Sequence, residues 1–188
     1  NTLGDLIGRD TYTQRKLTDA LLHSVRLKRQ PVDHFTSGCE ARLRFGHIIA
    51  SLPYQFPSQE FPVRDDSVLP TDYTGLIIDG RGLAVEPMLF PSVYDDNGLE
   101  IYGRLFVNGP DACRSGIASY CFDENQAMRN PKSGRRPYYT VAIRSLNGCP
   151  VLSGRDARRI LAAGNTRNSL KKCNVIIIIN RNSVSAKQ

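Results

Sequence analysis

The stretch Tyr73-Thr-Gly-Leu-Ile-Ile-Asp-Gly-Arg-Gly-Leu83 decides the fold. An apolar strand runs directly into a turn that contains Asp79, Gly80, Arg81 and Gly82. Glycine tolerates the backbone conformations and close approaches that such a turn needs. Because one carboxylate and one guanidinium lie two residues apart, we interpret the turn as a connection between strands that a local ion pair stabilises.

A phosphate or nucleotide site is the alternative interpretation of this turn, because glycines let backbone N–H groups approach an anion. The sequence contains neither Gly-x-Gly-x-x-Gly nor Gly-Lys-Ser/Thr, the patterns typical of such sites. We therefore favour the ion-pair interpretation.

Signals of β-structure dominate from Gly75 onwards. Two turns, Asp96-Asn97-Gly98 and Asn147-Gly148, predict hairpins, and Tyr102-Gly103 follows the first of them. The predicted extended stretches are Leu76 to Asp79, Val85 to Tyr94, Leu99 to Tyr102, Arg104 to Val107, Tyr138 to Leu146, Pro150 to Leu152 and Cys173 to Asn180.

Two segments have the apolar spacing of amphipathic helices. The first runs from Asp10 to Arg29 and is stopped by Pro31. The second begins where Ser153 and Asp156 have the spacing of a helix cap. Gly38 to Leu52 is ambiguous between helix and strand, and we expect a short helix that passes into a strand.

Three segments have the composition of irregular structure. Residues 53–72 alternate prolines with Tyr54, Phe56 and Phe61, which predicts an extended arm whose aromatic rings pack either on the domain or on a neighbouring subunit. Residues 108–137 predict a long loop insertion with a helical turn near Asp123 to Arg129. Residues 181–188 predict a frayed tail.

The chain of 188 residues is long enough for one domain with a single core. We predict an α+β fold over residues 1–188: a mixed, largely antiparallel sheet, from strands near residues 75, 90, 101, 141 and 176, with two main helices packed on it. No run of eighteen or more apolar residues occurs. The net charge of +7 favours acidic partners without choosing among nucleic acid, anionic lipid and protein.

Five cysteines are present, and no Cys-x-x-Cys or ligand-like histidine spacing accompanies them. We therefore expect no metal site and no cofactor. Cys113 and Cys121 bracket a compact segment and form the best candidate for a disulfide. The alternative is five reduced thiols that behave as small apolar side chains.

No nucleophile beside a base, carboxylate pair or metal cluster stands out, so we expect that the protein is not an enzyme. A nucleic-acid-binding module that uses a basic surface is the alternative function. Such a module alternates exposed aromatic and basic residues. Only Tyr138-Tyr139 after Arg135-Arg136 resembles that pattern, so we expect no nucleic-acid partner.

Tyr73 to Gly103 resembles bacterial envelope proteins related to the flagellar assembly protein FlgT and to FlgP-type outer-membrane lipoproteins. Three further segments fit the same resemblance: Tyr139 to Leu146, Ser153 to Ile160, and Leu170 to Asn180. No catalytic residue is carried over with the resemblance.

The resemblance implies a structural subunit in an envelope-spanning assembly, either a flagellar basal-body ring or the outer-membrane core of a secretion system. The implied location is the periplasm, in peripheral association with the outer membrane. The implied partners are other subunits of the complex, including copies of the chain in a ring.

Overall fold

The computed structural model describes residues 11–31, 37–42, 45–62 and 68–184. Six α-helices lie in this part of the chain: α1 (Thr11–Ser24), α2 (Phe45–Ser51), α3 (Gly109–Ser115), α4 (Glu124–Arg129), α5 (Gly154–Ala162) and α6 (Gly164–Lys171). The strands are β1 (Arg26–Pro31), β2 (Ser37–Arg42), β3 (Gly75–Asp79), β4 (Val93–Asp95), β5 (Glu100–Tyr102), β6 (Ser119–Cys121), β7 (Pro137–Val141), β8 (Arg144–Leu146), β9 (Cys149–Leu152) and β10 (Val175–Ile178). Two short 3-10 helices cover Pro131–Ser133 and Arg181–Val184.

The central sheet has the strand order β6-β10-β3-β7, and every pair in it is parallel. The prediction of a largely antiparallel sheet is wrong for this part of the molecule. β3 and β10 are buried along their whole length. Near-continuous apolar strands of this kind are typical of parallel sheets that are covered on both faces.

A second sheet has the order β5-β4-β9-β8, with antiparallel hairpins β4–β5 and β8–β9 joined through the parallel pair β4–β9. Both predicted hairpin turns are confirmed, and the positive φ of Gly98 and of Gly148 explains why glycine occupies them. The mixed α and β character is therefore confirmed. The strands that were predicted to form one sheet are divided between two sheets, and the chain passes from one sheet to the other several times.

The main core contains side chains of both sheets and of α5 and α6. Leu76 and Ile78 of β3 point into this core, whereas Ile77 packs on the opposite face of the central sheet. There a smaller cluster joins Ile77 to Ala127 of α4. Because α4 packs against β6 and β10, it covers one side of that face.

The chain before residue 63 differs from the expected order of elements. The first helix ends at Ser24, and Arg26–Pro31 pairs antiparallel with Ser37–Arg42 as a hairpin. The ambiguous segment is a strand followed by α2, the reverse of the predicted order.

Residues 108–137 are folded, so the prediction of a long loop is wrong. They form α3, β6, α4 and a 3-10 helix. Pro110 lies in the first turn of α3, where its missing N–H costs no hydrogen bond. The predicted helical turn at Asp123 to Arg129 is confirmed as α4, whose first turn is capped by Asp123.

The predicted arm, residues 53–72, has no helix or strand at residues 53–62 and 68–72; residues 63–67 lie outside the described part. Of the predicted frayed tail, Arg181–Val184 form a 3-10 helix. Residues 185–188 lie outside the described part as well.

Candidate functional site

The Asp79 turn lies at the carboxyl end of the parallel sheet. Asp79 is the last residue of β3, and its register partner Val141 is the last residue of β7. Ligand sites of open α/β sheets lie outside this end of the strands. This end of the sheet is therefore the first place where a site is to be sought.

Asp79 is almost enclosed by hydrogen-bond donors, although its side chain is charged. Its carboxylate accepts bonds from the Arg81 backbone N–H at 3.0 Å, from Nε at 2.9 Å and from Nη2 at 2.5 Å. The Tyr139 hydroxyl donates a further bond of 2.9 Å to Asp79 Oδ2. The structure thus contains the predicted Asp79–Arg81 ion pair, with a tyrosine added from the neighbouring strand.

The protonation states in this cluster are set by these contacts. The Arg81 hydrogen bond holds the pKa of the Asp79 carboxyl below its ordinary value, against the effect of burial. The same contact raises the pKa of the Arg81 guanidinium. Burial raises the pKa of Tyr139, and its hydrogen bond to Asp79 adds to the increase. The ion pair is therefore fully charged and the phenol protonated at neutral pH, which suits a fixed structural contact.

The two glycines of the turn are required for different reasons. Gly82 has a φ of 79°, and its N–H donates to Asn180 Oδ1 at 3.3 Å. A Cβ on Gly80 would lie 2.9 Å from Val85 Cγ2. The turn is thus tied to the chain after β10 and packs closely against Val85, in the segment that leads to the second sheet.

Tyr102 and Gly103, the other residues of the predicted motif, are not brought to this turn. Tyr102 is the last residue of β5 in the second sheet and is 1% exposed, and Gly103 follows it. The Tyr102 hydroxyl donates to the carbonyl of Ile117 at 2.6 Å, and burial raises its pKa well above the ordinary value. Tyr102 is therefore a core residue.

A row of exposed apolar side chains runs along β7 and beyond it. Tyr139, Val141 and Ile143 are 36%, 58% and 51% exposed, whereas Thr140 and Ala142 between them are buried. β7 is the last strand in the order of the central sheet. Large apolar side chains on an open strand edge mark a surface for interaction with another chain.

The chain passes from one sheet into the other directly after β7. The Ala142 N–H donates to the Asp79 carbonyl in the central sheet, whereas the next N–H, that of Ile143, points to the opposite side of the chain and donates to the Val151 carbonyl in the second sheet. The chain then enters β8, the last strand in the order of the second sheet. We call residues 137–146 the β7–β8 edge.

The opposite face of β7 is held by Asp156 of α5. Its carboxylate accepts hydrogen bonds from the Tyr138 hydroxyl at 2.6 Å, from Thr140 Oγ1 at 2.9 Å and from Ser153 Oγ at 2.9 Å. Burial opposes ionisation of Asp156, but these three bonds outweigh it and lower its pKa. The predicted helix cap at Ser153 is confirmed by the bond from the Asp156 N–H.

A second candidate is a cavity of about 560 Å³ in front of α5. Its wall contains Tyr73, Leu69 and the arginines Arg155, Arg158 and Arg159. The guanidinium groups give it the charge of an anion site. No contact in the described residues selects a ligand for it.

The aromatic residues of the arm pack within the chain. Phe61 is 2% exposed and stacks on Phe106 with ring centroids 5.0 Å apart. Tyr54 meets Phe90 edge-on at 4.8 Å, and Phe56 packs against the main core. Of the two predicted alternatives, the structure shows packing on the domain, so Phe61 is not available as an interface residue.

Cys113 and Cys121 are both free in the structure, which therefore does not contain the predicted disulfide. Cys113 belongs to α3 and Cys121 ends β6. Burial raises the pKa of both thiols. Such thiols react slowly as nucleophiles near neutral pH.

Within the described ranges, no group of three or more His, Cys, Asp and Glu side chains is arranged to hold a metal ion. The same ranges contain no helix that is long and apolar enough to cross a membrane.

Sequence reasoning missed the β7–β8 edge as a site, although it predicted a strand from Tyr138 to Leu146. The usable signal is the alternation of Tyr139, Val141 and Ile143 with Thr140 and Ala142. That alternation shows two different faces, but both sets of residues are compatible with burial. Only the position of the strand at the edge of the sheet identifies the exposed set.

The fold and this site together define an α/β domain with a parallel central sheet, a mixed second sheet and, within the described residues, exposed apolar side chains on the edge strand β7. The model of one protein family, described as the second domain of Treponema pallidum Tp0624, matches residues 75–181. The chain belongs to this family, and the match begins at β3 and ends beyond β10, so it includes both sheets. Among curated proteins, none matches the chain.

Proposed function

We propose that the protein is a non-enzymatic structural subunit of a bacterial envelope-spanning assembly and that it acts through protein–protein interfaces. A flagellar basal-body ring or the outer-membrane core of a secretion system is the proposed host, in the periplasm next to the outer membrane. The observation that carries the proposal is the exposed apolar row Tyr139, Val141 and Ile143 on the open β7–β8 edge.

The polar contacts at the carboxyl end of the sheet support a structural role. The charge of Asp79 is neutralised by Arg81, and its carboxylate accepts a hydrogen bond from the Tyr139 hydroxyl. Each of these groups therefore already has a partner. A catalytic carboxylate or base needs a group that is free to exchange a proton with a substrate. The cluster instead fixes the end of β3 against β7.

The proposed location and the proposed role in an assembly have one support each. The sequence resembles envelope proteins of the flagellar and outer-membrane kind in the segments that form β3, β7, α5 and β10. The family to which the chain belongs is named for a domain of a bacterial protein that has at least one other domain. A domain of this kind is suited to joining other parts of a larger assembly.

The proposal is tested by fractionation in the organism that encodes the chain. We expect a tagged chain to remain with the envelope fraction and to cross-link to other subunits. The double variant Val141→Lys with Ile143→Lys should lose these partners, because two charges replace the apolar row. Leu22→Lys, on the exposed side of α1, is the matched control and should keep them.

A monomeric chain in the soluble fraction, without cross-linked partners, would contradict the proposal. Salt-sensitive binding of single-stranded RNA or DNA by the purified chain would favour the nucleic-acid alternative instead.

A further inference from the structure

We propose that the β7–β8 edge binds an extended segment of a different protein, with apolar side chains at alternating positions and carboxylates at both ends. This inference rests on the proposed function, since it names the chemistry of the partner at the same surface. It follows from the backbone, the apolar row and the charges at its ends.

The backbone of β7 offers hydrogen bonds to a new strand. β7 pairs with β3 on one side. The N–H of Ala142 points towards β3, because it donates to the backbone carbonyl of Asp79. Successive N–H groups of a strand point to opposite sides, so the N–H of Val141 points outwards. The Ile143 N–H, by contrast, donates to the Val151 carbonyl, so β9 lies on this side of the chain beyond residue 142. An added strand would therefore satisfy the outward groups of β7 itself by β-augmentation.

The side chains add an apolar stripe to this backbone. Tyr139 and Val141 share a face of the central sheet with Ile77, and α4 covers this face over β6 and β10. Both side chains are exposed, as is Ile143 directly after β7. A strand added to an edge places alternate side chains next to those of its neighbour. The partner segment should therefore have apolar residues at every second position.

Basic residues flank the stripe at both ends. Arg135 and Arg136 precede β7 and Arg144 follows it, and all three are exposed. In the part of the chain that the structure describes, none of them forms an ion pair. Arg136 lies 5.7 Å from the Tyr73 ring, and Arg144 donates to the Asp96 carbonyl at 3.3 Å. Carboxylates at both ends of the partner segment would complement these charges.

The same charges disfavour a second copy of this chain as the occupant. Antiparallel pairing of two copies about Thr140 sets Arg136 opposite Arg144, and pairing about Val141 makes them diagonal neighbours. Parallel pairing in register places each arginine beside its own counterpart. Like charges across a strand pair are destabilising, so the edge selects a different, acidic partner.

The test uses two labelled peptides and fluorescence anisotropy with the complete chain. The first peptide is Asp-Glu-Val-Thr-Ile-Thr-Val-Glu-Asp, and the second has lysine in place of its four acids. We expect the acidic peptide to bind at least about tenfold more tightly at low ionic strength, and salt to reduce this ratio. Replacing all three arginines, by Arg135→Gln, Arg136→Gln and Arg144→Gln, should abolish the preference.

Two further measurements show whether the peptide occupies the edge. Val141→Lys with Ile143→Lys should weaken binding of the acidic peptide at least about tenfold, whereas Leu22→Lys should leave it unchanged. Bound peptide should slow hydrogen exchange at the amide of Val141. This second measurement uses the unaltered chain, so it does not depend on whether a variant folds.

Equal affinity for the two peptides, or binding that is unaffected by the two lysines, overturns the inference. So does self-association of the chain that the same two lysines abolish, because a second copy would then be the occupant. Envelope partners without any preference for acidic peptides contradict this inference alone. A clear peptide preference in a chain that has no partners in cells contradicts the proposed function instead.

Discussion

The two edges of the central sheet differ in length, cover and chemistry. β6 is a short strand, with α4 packed on it and the Tyr120 hydroxyl turned inwards, where it accepts a bond of 2.9 Å from the Met88 N–H. β7 is longer, continues into β8, and exposes Tyr139, Val141 and Ile143. The first edge has the features by which proteins prevent association, and the second lacks them. The difference indicates which side of the domain is available to a partner.

The largest expected effect compares the polar anchors near the two edges. Asp156→Ala removes the acceptor of three side-chain hydrogen bonds beside β7 and should lower the free energy of unfolding by about 3 kcal/mol. Asp123→Ala removes only the cap of α4 beside β6 and should cost about 1 kcal/mol. Urea denaturation of both variants measures the two losses. Equal losses would show that β7 is not anchored through Asp156.

A second prediction concerns Lys132, which lies between α4 and β7. Its side chain is buried and donates to the Gly116 carbonyl at 2.8 Å, and burial lowers its pKa to about 8. The unfolded chain therefore binds more protons than the folded chain between pH 8 and the ordinary pKa of lysine, 10.5. In this window the contribution of Lys132 to stability rises with pH, and it is lost as pH falls through 8.

Comparison with Lys132→Met isolates this contribution from the other titrating groups. Relative to the variant, the unaltered chain should gain about 2 kcal/mol of unfolding free energy between pH 7 and pH 10. Urea denaturation at both pH values gives the difference. Lys171→Met is the control, because Lys171 pairs with the exposed Glu60 at the surface. The prediction is wrong if the free energies of unfolding of the unaltered chain and of Lys132→Met differ by the same amount at both pH values. The Lys132 ammonium would then not be destabilised by burial.

The two tyrosines give a third, smaller comparison. Tyr120→Phe at the β6 edge leaves the Met88 N–H without its partner and should cost about 1.5 kcal/mol. Tyr139→Phe at the β7 edge should cost about 0.5 kcal/mol, because Arg81 still neutralises Asp79. Thermal or urea unfolding distinguishes them. A larger loss for Tyr139→Phe would mean that the open edge depends on its surface tyrosine.

The smallest effect is expected on the exposed row itself. Val141→Lys with Ile143→Lys should change the free energy of unfolding by no more than about 0.5 kcal/mol, since both side chains already face water. Ile176→Lys is the opposite control: it places a charge in the buried cluster under α4 and should prevent folding. If the double variant also failed to fold, the exposed row would be required for the fold, and the prediction would be wrong.

The sequence predicted the local elements of this fold better than their pairing. The isoleucines of β10, the two Asn-Gly turns and the Ser153 cap each have a short-range physical cause, and all are confirmed. The pairing of strands depends on contacts between distant residues. The apolar runs in β3 and β10 did contain the signal for parallel, doubly covered strands. The prediction instead assumed that the antiparallel pairing of the two hairpins applied to the whole sheet.

The prediction for residues 108–137 failed because composition was taken as conformation. Glycine, proline and asparagine are frequent in loops, but here Asn108 and Pro110 begin a helix, and Asn130 caps a 3-10 turn. Of the site, the Asp79–Arg81 pair was predictable because its members are two residues apart. Tyr139 was not, because it reaches Asp79 from a strand that is sixty residues away in sequence.

The last strand of the domain, β10, lies in the interior of the central sheet, between β6 and β3. During synthesis β3, β6 and β7 leave the ribosome before the strand that joins β6 to β3 exists. The edges of β3 and β6 that pair with β10 therefore remain unpaired until β10 has been synthesised. Delayed pairing of this kind is typical of folds with many long-range contacts. Nascent chains should remain sensitive to protease until residue 178 has emerged, and a chaperone that shields strands would act before that moment.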